Sequence, residues 1–388
     1  MQSARTDVGT VEDLHASATR LTGLDDFGDD DSYREGMATL LSAYGMEAAL
    51  TPAGSKVSRG LLRAALVSRL LSEAAWQQHP EHAHVPVARP VFVTGLPRTG
   101  TTALHRLLTA DPAHQGLELW LTEVPQPRPP RATWAENPVF QGIQAGYERH
   151  NVEHPEFMGL HHSSAEQVEE CWRLLRQSLR AVSFECLAHL PTYSRWLSTQ
   201  DWTSAYARHR RVLQLIGLPD ADRRWVLKNP SHLFALDALM AAYPDALVIQ
   251  THRAPSTIVA SVCSLNEQAT AGWSDVFRGE VVGADQLNLW ARGASDFLTA
   301  RTRHNPAQFC DVHYEDFVAD PIGTVSAVYH HFGLTLTPEA RAAMTAVHEE
   351  SRTGAGKPSH RYRLEDFGLS AQEVDERFAG YLQTHGRA

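Results

Sequence analysis

One stretch of this chain, residues 90–112, constrains the fold more than any other. It reads PVFVTGLPRTGTTALHRLLTADP, in which the apolar, β-prone run Val91 to Val93 leads into a loop bounded by Gly95 and Gly100. The loop opens into an amphipathic segment with leucines at helical spacing. Free backbone N–H groups and the positive end of a helix dipole converge at such a junction. The sequence therefore predicts an α/β fold with an anion-binding loop after its first strand.

The loop departs from the usual ATP- and GTP-binding pattern at one position. That pattern is G-x-x-x-x-G-K-[ST], whereas this loop reads G-x-x-x-x-G-T-T, so Thr101 stands where a lysine is expected. Thr99 and Thr102 add hydroxyls on either side of Gly100, and Arg98 is the only cation in the loop. No apolar strand ends in an aspartate that would hold Mg²⁺, and N-K-x-D is absent. The pattern favours phosphates that are held but not split as a phosphoanhydride.

Composition narrows the class of protein. The 388 residues are 43% hydrophobic and 21% charged, as in an ordinary globular protein. A net charge of −10 disfavours a nucleic-acid-binding surface. No apolar run approaches the roughly 18–20 residues of a membrane span, and no secretory signal is visible. The four scattered cysteines are typical of reduced thiols, which favours a cytoplasmic location.

The histidines form no pattern typical of a metal site. The pairs at 161–162 and 330–331 and the H-x-H at 82–84 lack the i, i+4 spacing of H-E-x-x-H. No cysteine cluster accompanies them. We therefore expect no metal site.

Strand and helix patterns alternate along most of the chain after residue 89. Short apolar runs predict strands at 91–93, 225–227, 246–250 and 310–314. Helical spacing predicts helices over 11–21, 33–50, 59–75, 166–190, 231–243 and 255–265, and after the last strand through Phe332. This alternation predicts a parallel sheet with ligands at the carboxyl ends of its strands. We expect a helical N-terminal extension, 1–88, packed on a core domain, 89–388, with a helical insertion around 124–215.

Two further groups of polar residues follow predicted strands. Lys228 ends the strand at 225–227, and His232 lies in the first turn of the next helix, so both are expected to point at the cleft. Lys228 can stabilise charge on a transferred group and His232 can take a proton from an alcohol, although such a histidine can also simply pack or cap a helix. Arg253 follows the next strand, and Ser261 lies about two helical turns further on. Arg253 suits a phosphate or a surface carboxylate equally well.

Together these groups resemble the sulfotransferases that use 3′-phosphoadenosine 5′-phosphosulfate (PAPS), and most closely the bacterial, largely actinobacterial branch with a helical N-terminal extension. The family motif G-x-P-[KR]-[ST]-G-T-T, which holds the 5′-phosphosulfate, is matched by Gly95, Pro97, Arg98, Thr99, Gly100, Thr101 and Thr102. The resemblance runs from about residue 90 to 381. It implies a three-layer, P-loop-like fold in which helices flank a central parallel sheet.

The resemblance also assigns roles outside the loop. In the family, an arginine and a serine eight residues later hold the 3′-phosphate, and Arg253 and Ser261 have that spacing. About twenty residues before that arginine, the family has a K-x-P-x-H element, which Lys228 and His232 match. The resemblance thus implies sulfuryl transfer from PAPS to a hydroxyl, with 3′-phosphoadenosine 5′-phosphate (PAP) as product and no metal. His232 is then the expected base, with Lys228 and Arg98 stabilising charge.

The remaining matches concern the nucleotide's other end. Tyr314 in VHYEDF resembles the family tyrosine near the adenine, and Lys357 in a basic loop resembles the C-terminal 3′-phosphate loop. The chain departs from cytosolic eukaryotic members at two positions. It has Arg98 where they have a lysine, so this residue cannot donate a proton. It has Ala103 where they have a tryptophan, so adenine must stack elsewhere.

The acceptor and the base are less constrained. The region 154–196 and the N-terminal helices are expected to line the acceptor side. Its apolar side chains suit a hydroxylated lipid, isoprenoid, polyketide or phenol, or belong to the core: Phe157, Met158, Trp172, Phe184 and Trp196. Glu166, Glu169 and Glu170 offer an alternative carboxylate base or a solvated helix face.

Two other functions and the oligomeric state stay open. A small-molecule kinase with a degenerate loop would need ATP and Mg²⁺, and Thr101 speaks against it. A nucleotide-binding regulatory or scaffold protein would not need Lys228 and His232 together. A homodimer is one option for the assembly.

Overall fold

The computed structural model describes residues 6–153, 164–353 and 362–387. Within these residues, five strands form one sheet: β1 (Val91–Gly95), β2 (His114–Gln115), β3 (Arg224–Lys228), β4 (Leu247–His252) and β5 (Phe309–His313). Every neighbouring pair is parallel, in the order β2-β3-β1-β4-β5. The predicted parallel α/β sheet is confirmed. The register sets Lys228 opposite Val93 and Thr251 opposite Gly95, so the carboxyl ends of β1, β3 and β4 meet at one edge.

The N-terminal region is helical, as the periodicity predicts. Its helices are α1 (Val11–Thr22), α2 (Ser32–Met46) and α3 (Pro52–Gln78). The side chain of Thr10 caps α1, accepting a hydrogen bond from the Asp13 backbone N–H at 3.1 Å, and the Asp13 carboxylate accepts one from the Thr10 N–H at 3.2 Å. Thr51 caps α3 and binds the Trp273 carbonyl through its own N–H at 2.9 Å. The three helices share a continuous hydrophobic core with later parts of the chain.

The middle of the chain departs from the prediction. Its helices are α4 (Thr101–Thr109), α5 (Leu119–Glu123), α6 (Pro138–Glu153), α7 (Trp172–Leu175), α8 (Pro191–Leu197) and α9 (Thr203–Ile216). The single long helix predicted over 166–190 is wrong, because only α7 and short 3₁₀ turns form there. The backbone of this segment bonds elsewhere: Glu169 N–H donates to the Leu117 carbonyl at 2.7 Å, and Cys171 N–H to the Lys228 carbonyl at 3.1 Å. Tertiary pairing thus replaces the helical hydrogen bonds that the periodicity favours.

The second half of the chain completes both helical layers. Its helices are α10 (Leu236–Ala242), α11 (Pro255–Ala269), α12 (Glu280–Arg301), α13 (Tyr314–Ala319), α14 (Pro321–His331), α15 (Pro338–Thr353), α16 (Ala371–Arg377) and α17 (Ala379–His385). The helix predicted over 231–243 is split into a 3₁₀ turn, Pro230–Phe234, and α10. The sequence pattern missed α12. Many of its side chains are buried, Gln286, Trp290 and Phe297 among them, so it lacks the one-sided spacing of a surface helix.

Side chains of the central strands alternate between two hydrophobic layers. Phe92 and Val248 lie in the larger core, which also contains residues of α1, α9 and α12. Val91, Val93 and Ile249 lie in a second core with α4, α14 and α15. Helices on both faces of a parallel sheet make the expected three layers. Across the described ranges, no helix combines the length and the apolar character that crossing a bilayer requires.

Candidate active site

The predicted anion-binding loop is a tight turn between β1 and α4. Gly95 has φ +138°, and a Cβ there would lie 2.5 Å from the Thr251 carbonyl, so only glycine fits. Arg98 and Gly100 also have positive φ, at +66° and +85°. The Thr99 hydroxyl is buried, donating to the Leu96 carbonyl at 2.6 Å and lying 2.5 Å from the Thr251 hydroxyl. The Thr99 hydroxyl therefore stabilises the turn, and Thr99 can bind a ligand through its backbone.

The start of α4 presents unused donors to this edge. Leu104 N–H makes the first hydrogen bond of the helix, to the Gly100 carbonyl at 3.1 Å. The N–H groups of Thr101, Thr102 and Ala103 precede that bond and are free of the helical ladder. Thr101 is buried and Thr102 is exposed. Backbone N–H groups in this arrangement favour a phosphate or sulfate.

Lys228 reaches the same helix end from the carboxyl end of β3. Its side chain is only 4% exposed, and Nζ donates to Thr102 Oγ1 at 3.1 Å. Nζ also forms an ion pair with the Glu170 carboxylate, whose side chain is 21% exposed. The pairing of Cys171 N–H with the Lys228 carbonyl brings Glu170 to this position. Glu170 N–H in turn donates to Glu169 Oε1 at 2.7 Å.

Arg253 after β4 and Tyr314 after β5 complete the site, together with Ser261 of α11. Arg98 Nε donates to Ser261 Oγ at 3.2 Å, and Arg253 Nη1 donates to the Arg98 carbonyl at 3.0 Å. The Arg253 guanidinium lies 4.1 Å from the centre of the Tyr314 ring, a cation–π contact. A Cβ on Gly100 would lie 3.2 Å from the same ring. We call the loop Gly95–Thr102, Lys228, Arg253 and Ser261 the anion-binding edge.

His232 lies in a different environment. Its side chain has no exposed surface, and Nδ1 lies 2.6 Å from the Tyr206 hydroxyl. The ring packs edge-on against Phe92 at 5.1 Å, near His209, whose Nδ1 lies 2.7 Å from the Tyr243 hydroxyl. Burial, and secondarily the nearby His209, lowers the pKa of His232 well below its ordinary value. We call these five side chains the ring cluster.

The ring cluster bears on the sequence-based role of His232. The 3₁₀ turn that begins at Pro230 carries the imidazole into the core, while Lys228 stays at the anion-binding edge. His232 Nε2 is buried without a hydrogen-bond partner. His232 as the base stays a prediction, and its side chain is fully buried in this structure.

One cluster among the described residues has the composition of a metal site: His252, Asp311 and His385. Both ring nitrogens of His252 are already engaged, Nδ1 lying 3.0 Å from the Tyr381 hydroxyl and Nε2 2.8 Å from Asp311 Oδ1. Arg301 binds both Asp311 oxygens, at 2.7 and 2.8 Å. His252 and Asp311 are thus engaged by protein partners, whereas the His385 ring stacks on that of His252 with 4.0 Å between ring centres and its Nε2 is buried without a hydrogen-bond partner.

Sequence reasoning named three glutamates without choosing among them. Glu166 lies at the surface, 2.5 Å from Arg131, and Glu169 is buried behind the backbone of Glu170. Glu170 alone of the three contacts Lys228. No local signal distinguishes it, because the contact depends on the pairing of segment 165–171 with distant residues. The predicted contacts Lys357, Phe157 and Met158 lie outside the described residues.

The known proteins to which this chain is similar are sulfotransferases. A model of the sulfotransferase family matches residues 90–338. Sulfotransferase STF1 from Mycobacterium tuberculosis H37Rv is 60% identical with a TM-score of 0.91, over 97% of this chain and 100% of that chain. Sulfotransferase STF9 from Mycobacterium avium is 28% identical with a TM-score of 0.89, over 100% of this chain and 99% of that one.

A more distant relative is the omega-hydroxy-beta-dihydromenaquinone-9 sulfotransferase Stf3 of Mycobacterium bovis. It is 25% identical over 258 residues, which are 63% of this chain and 63% of Stf3. The match therefore spans less than two thirds of that relative. The family model nevertheless begins at β1 and covers well over half of the chain, which confirms the resemblance inferred from the motifs. The chain belongs to the sulfotransferase family.

Proposed function

We propose that this protein transfers the sulfuryl group of PAPS to a hydroxyl group of a small acceptor. The observation that carries the proposal is the anion-binding edge, where two sites for anions lie side by side. One consists of the α4 N-terminus with Lys228, and the other of Arg253 with Ser261, linked through Arg98. PAPS has anionic groups at both ends, a 5′-phosphosulfate and a 3′-phosphate, which match this pair of sites.

The chain's own groups account for the chemistry without a metal. PAPS, when bound, supplies an activated sulfuryl group. The acceptor oxygen forms a bond to sulfur as the bond from sulfur to the phosphate oxygen breaks, and PAP leaves. The N–H groups at the start of α4, with Lys228 and Arg98, are aimed where negative charge develops on the departing phosphate. The acceptor's proton passes to a base on the protein.

Two side chains are candidates for that base. His232 has no exposed surface, and its Nδ1 is engaged with the Tyr206 hydroxyl. Glu170 is partly exposed and lies beside Lys228 at the edge where the sulfuryl group is expected. A carboxylate at that position can accept the proton in the transition state. We therefore favour Glu170 over His232.

A hydrophobic acceptor is the second part of the proposal. The name of Stf3 gives it a hydroxylated menaquinone derivative as acceptor, which supports a lipid-like alcohol here. Of the predicted acceptor-side residues, Phe184 is fully buried, and the half-buried Trp196 donates from Nε1 to Glu35 at 3.0 Å. Trp172 is half-buried, with the Arg176 guanidinium 4.0 Å from its ring centre. Trp172 is thus the best remaining candidate for an acceptor contact.

A calorimetric titration in the presence of EDTA tests the donor. We expect PAP to bind in the micromolar range without a divalent cation, because fixed cations and N–H groups hold both anionic ends. Binding of ATP alone, and only with Mg²⁺, would instead support a kinase. Binding of PAP without any sulfation would support a regulatory protein. Incubation with labelled PAPS and a lipid extract then identifies the acceptor. The cytoplasmic location and a homodimer stay predictions.

A further inference from the structure

The contact between Lys228 and Glu170 joins two groups that the proposed reaction needs apart. Lys228 is expected to stabilise the departing phosphate, and Glu170 is the favoured base. In the ligand-free protein the ammonium group of Lys228 forms an ion pair with the Glu170 carboxylate, and both groups are largely shielded from water. The ammonium group occupies Glu170 Oε1, one of the two oxygens to which an acceptor hydroxyl could donate. The ion pair and the proposed proton transfer therefore compete for the same carboxylate.

Lys228 already has a second partner in the donor site. Nζ donates to Thr102 Oγ1 at 3.1 Å, in the first turn of α4, where the backbone N–H groups can bind a phosphate. A lysine has a flexible four-carbon stem and a compact charge, so it can turn from the carboxylate to an anion at Thr102 without backbone movement. An incoming phosphosulfate competes with Glu170 for the same ammonium group.

Two hydrogen bonds fix the backbone around Glu170. Its N–H donates to Glu169 Oε1 at 2.7 Å, and the next N–H, of Cys171, donates to the Lys228 carbonyl at 3.1 Å. Glu169 is buried, with Arg173 Nε 3.6 Å from its carboxylate. The backbone of Glu170 is thus anchored on both sides, and Lys228 is fixed in β3, so the ion pair can open through side-chain rotation alone.

On the basis of the proposed function, we infer that donor binding moves the Lys228 ammonium group from Glu170 to the donor. We call this the partner exchange of Lys228. Without donor, Lys228 pairs with Glu170 and keeps the carboxylate from acting as base. When the donor's 5′ group occupies the α4 N-terminus, Lys228 turns to it and Glu170 is released. The base is then active only when the sulfuryl group is in place, so the donor binds before the productive acceptor.

The partner exchange predicts an unusual result for Glu170→Gln. Loss of the carboxylate frees Lys228 in advance, so PAP should bind about three- to tenfold more tightly, the worth of a partly exposed ion pair. Sulfation by the same variant should fall about 10²–10⁴-fold because the base is gone. Asp31→Asn is the matched control: it removes one charge from the exposed Arg34–Asp31 pair at the start of α2, and neither PAP affinity nor sulfation should change. Thermal unfolding of each variant verifies that it is folded.

A double-mutant cycle distinguishes the partner exchange from simple electrostatic repulsion between Glu170 and an anionic ligand. If Glu170 acts through Lys228, adding Glu170→Gln to Lys228→Met should change PAP affinity by less than about twofold. If Glu170 only repels the ligand through space, the gain should persist or grow in the Lys228→Met protein, and the inference fails. Weaker or unchanged PAP binding by Glu170→Gln alone also overturns it. Failure of the wild-type protein to bind PAP would instead overturn the proposed function.

Discussion

The anion-binding edge and the ring cluster lie on one continuous stretch of chain and have opposite properties. Lys228 ends β3 with its charge shared between Glu170 and Thr102. Four residues later, His232 is fully buried and paired with Tyr206. Groups at the edge have partners that a ligand can replace, whereas those in the cluster are enclosed by rings. An ionisable residue is a candidate for catalysis where a ligand can replace its partners.

Replacement of the charge at the edge should have the largest effect. Lys228→Met should lower kcat/KM for sulfation about 10²–10³-fold, because a preorganised donor is lost where charge develops. Labelled PAPS measures the rate, and a thermal melt close to that of the wild type shows that the fold is intact. Retention of more than about a tenth of the activity would mean that the charge develops elsewhere.

Arg253 tests the other end of the edge. Arg253→Ala should weaken PAP binding about 10–100-fold, because hydrogen bonds to a charged group contribute about 1.5–3 kcal/mol. Calorimetry measures the affinity. Arg131→Ala, which removes an arginine that is 65% exposed, serves as control and should leave the affinity unchanged. Equal losses in the two variants would point to a general charge effect and not to a site.

The contrast between the anion-binding edge and the ring cluster fails if His232 is catalytic. If it packs only, His232→Leu should cost about 1–3 kcal/mol in the free energy of unfolding, because the Tyr206 hydroxyl loses its partner in the core. His232→Asn, which can keep a hydrogen bond to Tyr206, should cost less. Both folded variants should keep kcat/KM within about threefold of the wild type. A loss of about 10²–10⁴-fold in both would restore His232 as the base.

Acid should unfold the protein partly through the ring cluster. Burial lowers the pKa of His209 to about 3, and that of His232 is also lowered, whereas unfolded histidines titrate near 6.5. The unfolded chain therefore binds protons that the folded chain does not. The free energy of unfolding should fall below about pH 6.5, by up to about 1.4 kcal/mol per pH unit for each histidine.

Urea unfolding between pH 7.5 and 5 measures this slope. His209→Phe should reduce the slope by roughly one histidine's share, even if the variant is less stable at neutral pH because Tyr243 loses its partner. An unchanged slope in His209→Phe would show that this imidazole is already protonated in the folded protein or reached by water.

Much of the anion-binding edge follows from local sequence. The strand-loop-helix at 91–109 needs only an apolar run, glycines at two positive-φ positions and a helix start, all of which lie within one short segment. Arg253 and Ser261 are brought to that edge because parallel strands place their carboxyl ends together. The residue order therefore suffices for the sheet, for the loop and for the family.

Only the tertiary structure decided the partner of Lys228 and the side on which His232 lies. The segment 165–171 has helical periodicity, yet its backbone pairs with residues 117–120 and with Lys228, and this long-range pairing delivers Glu170. His232 lies in a 3₁₀ turn where a regular helix is expected, and its side chain packs in the core beside Phe92. Periodicity and spacing report local preference, whereas these two placements depend on hydrogen bonds and burial between residues far apart in the chain.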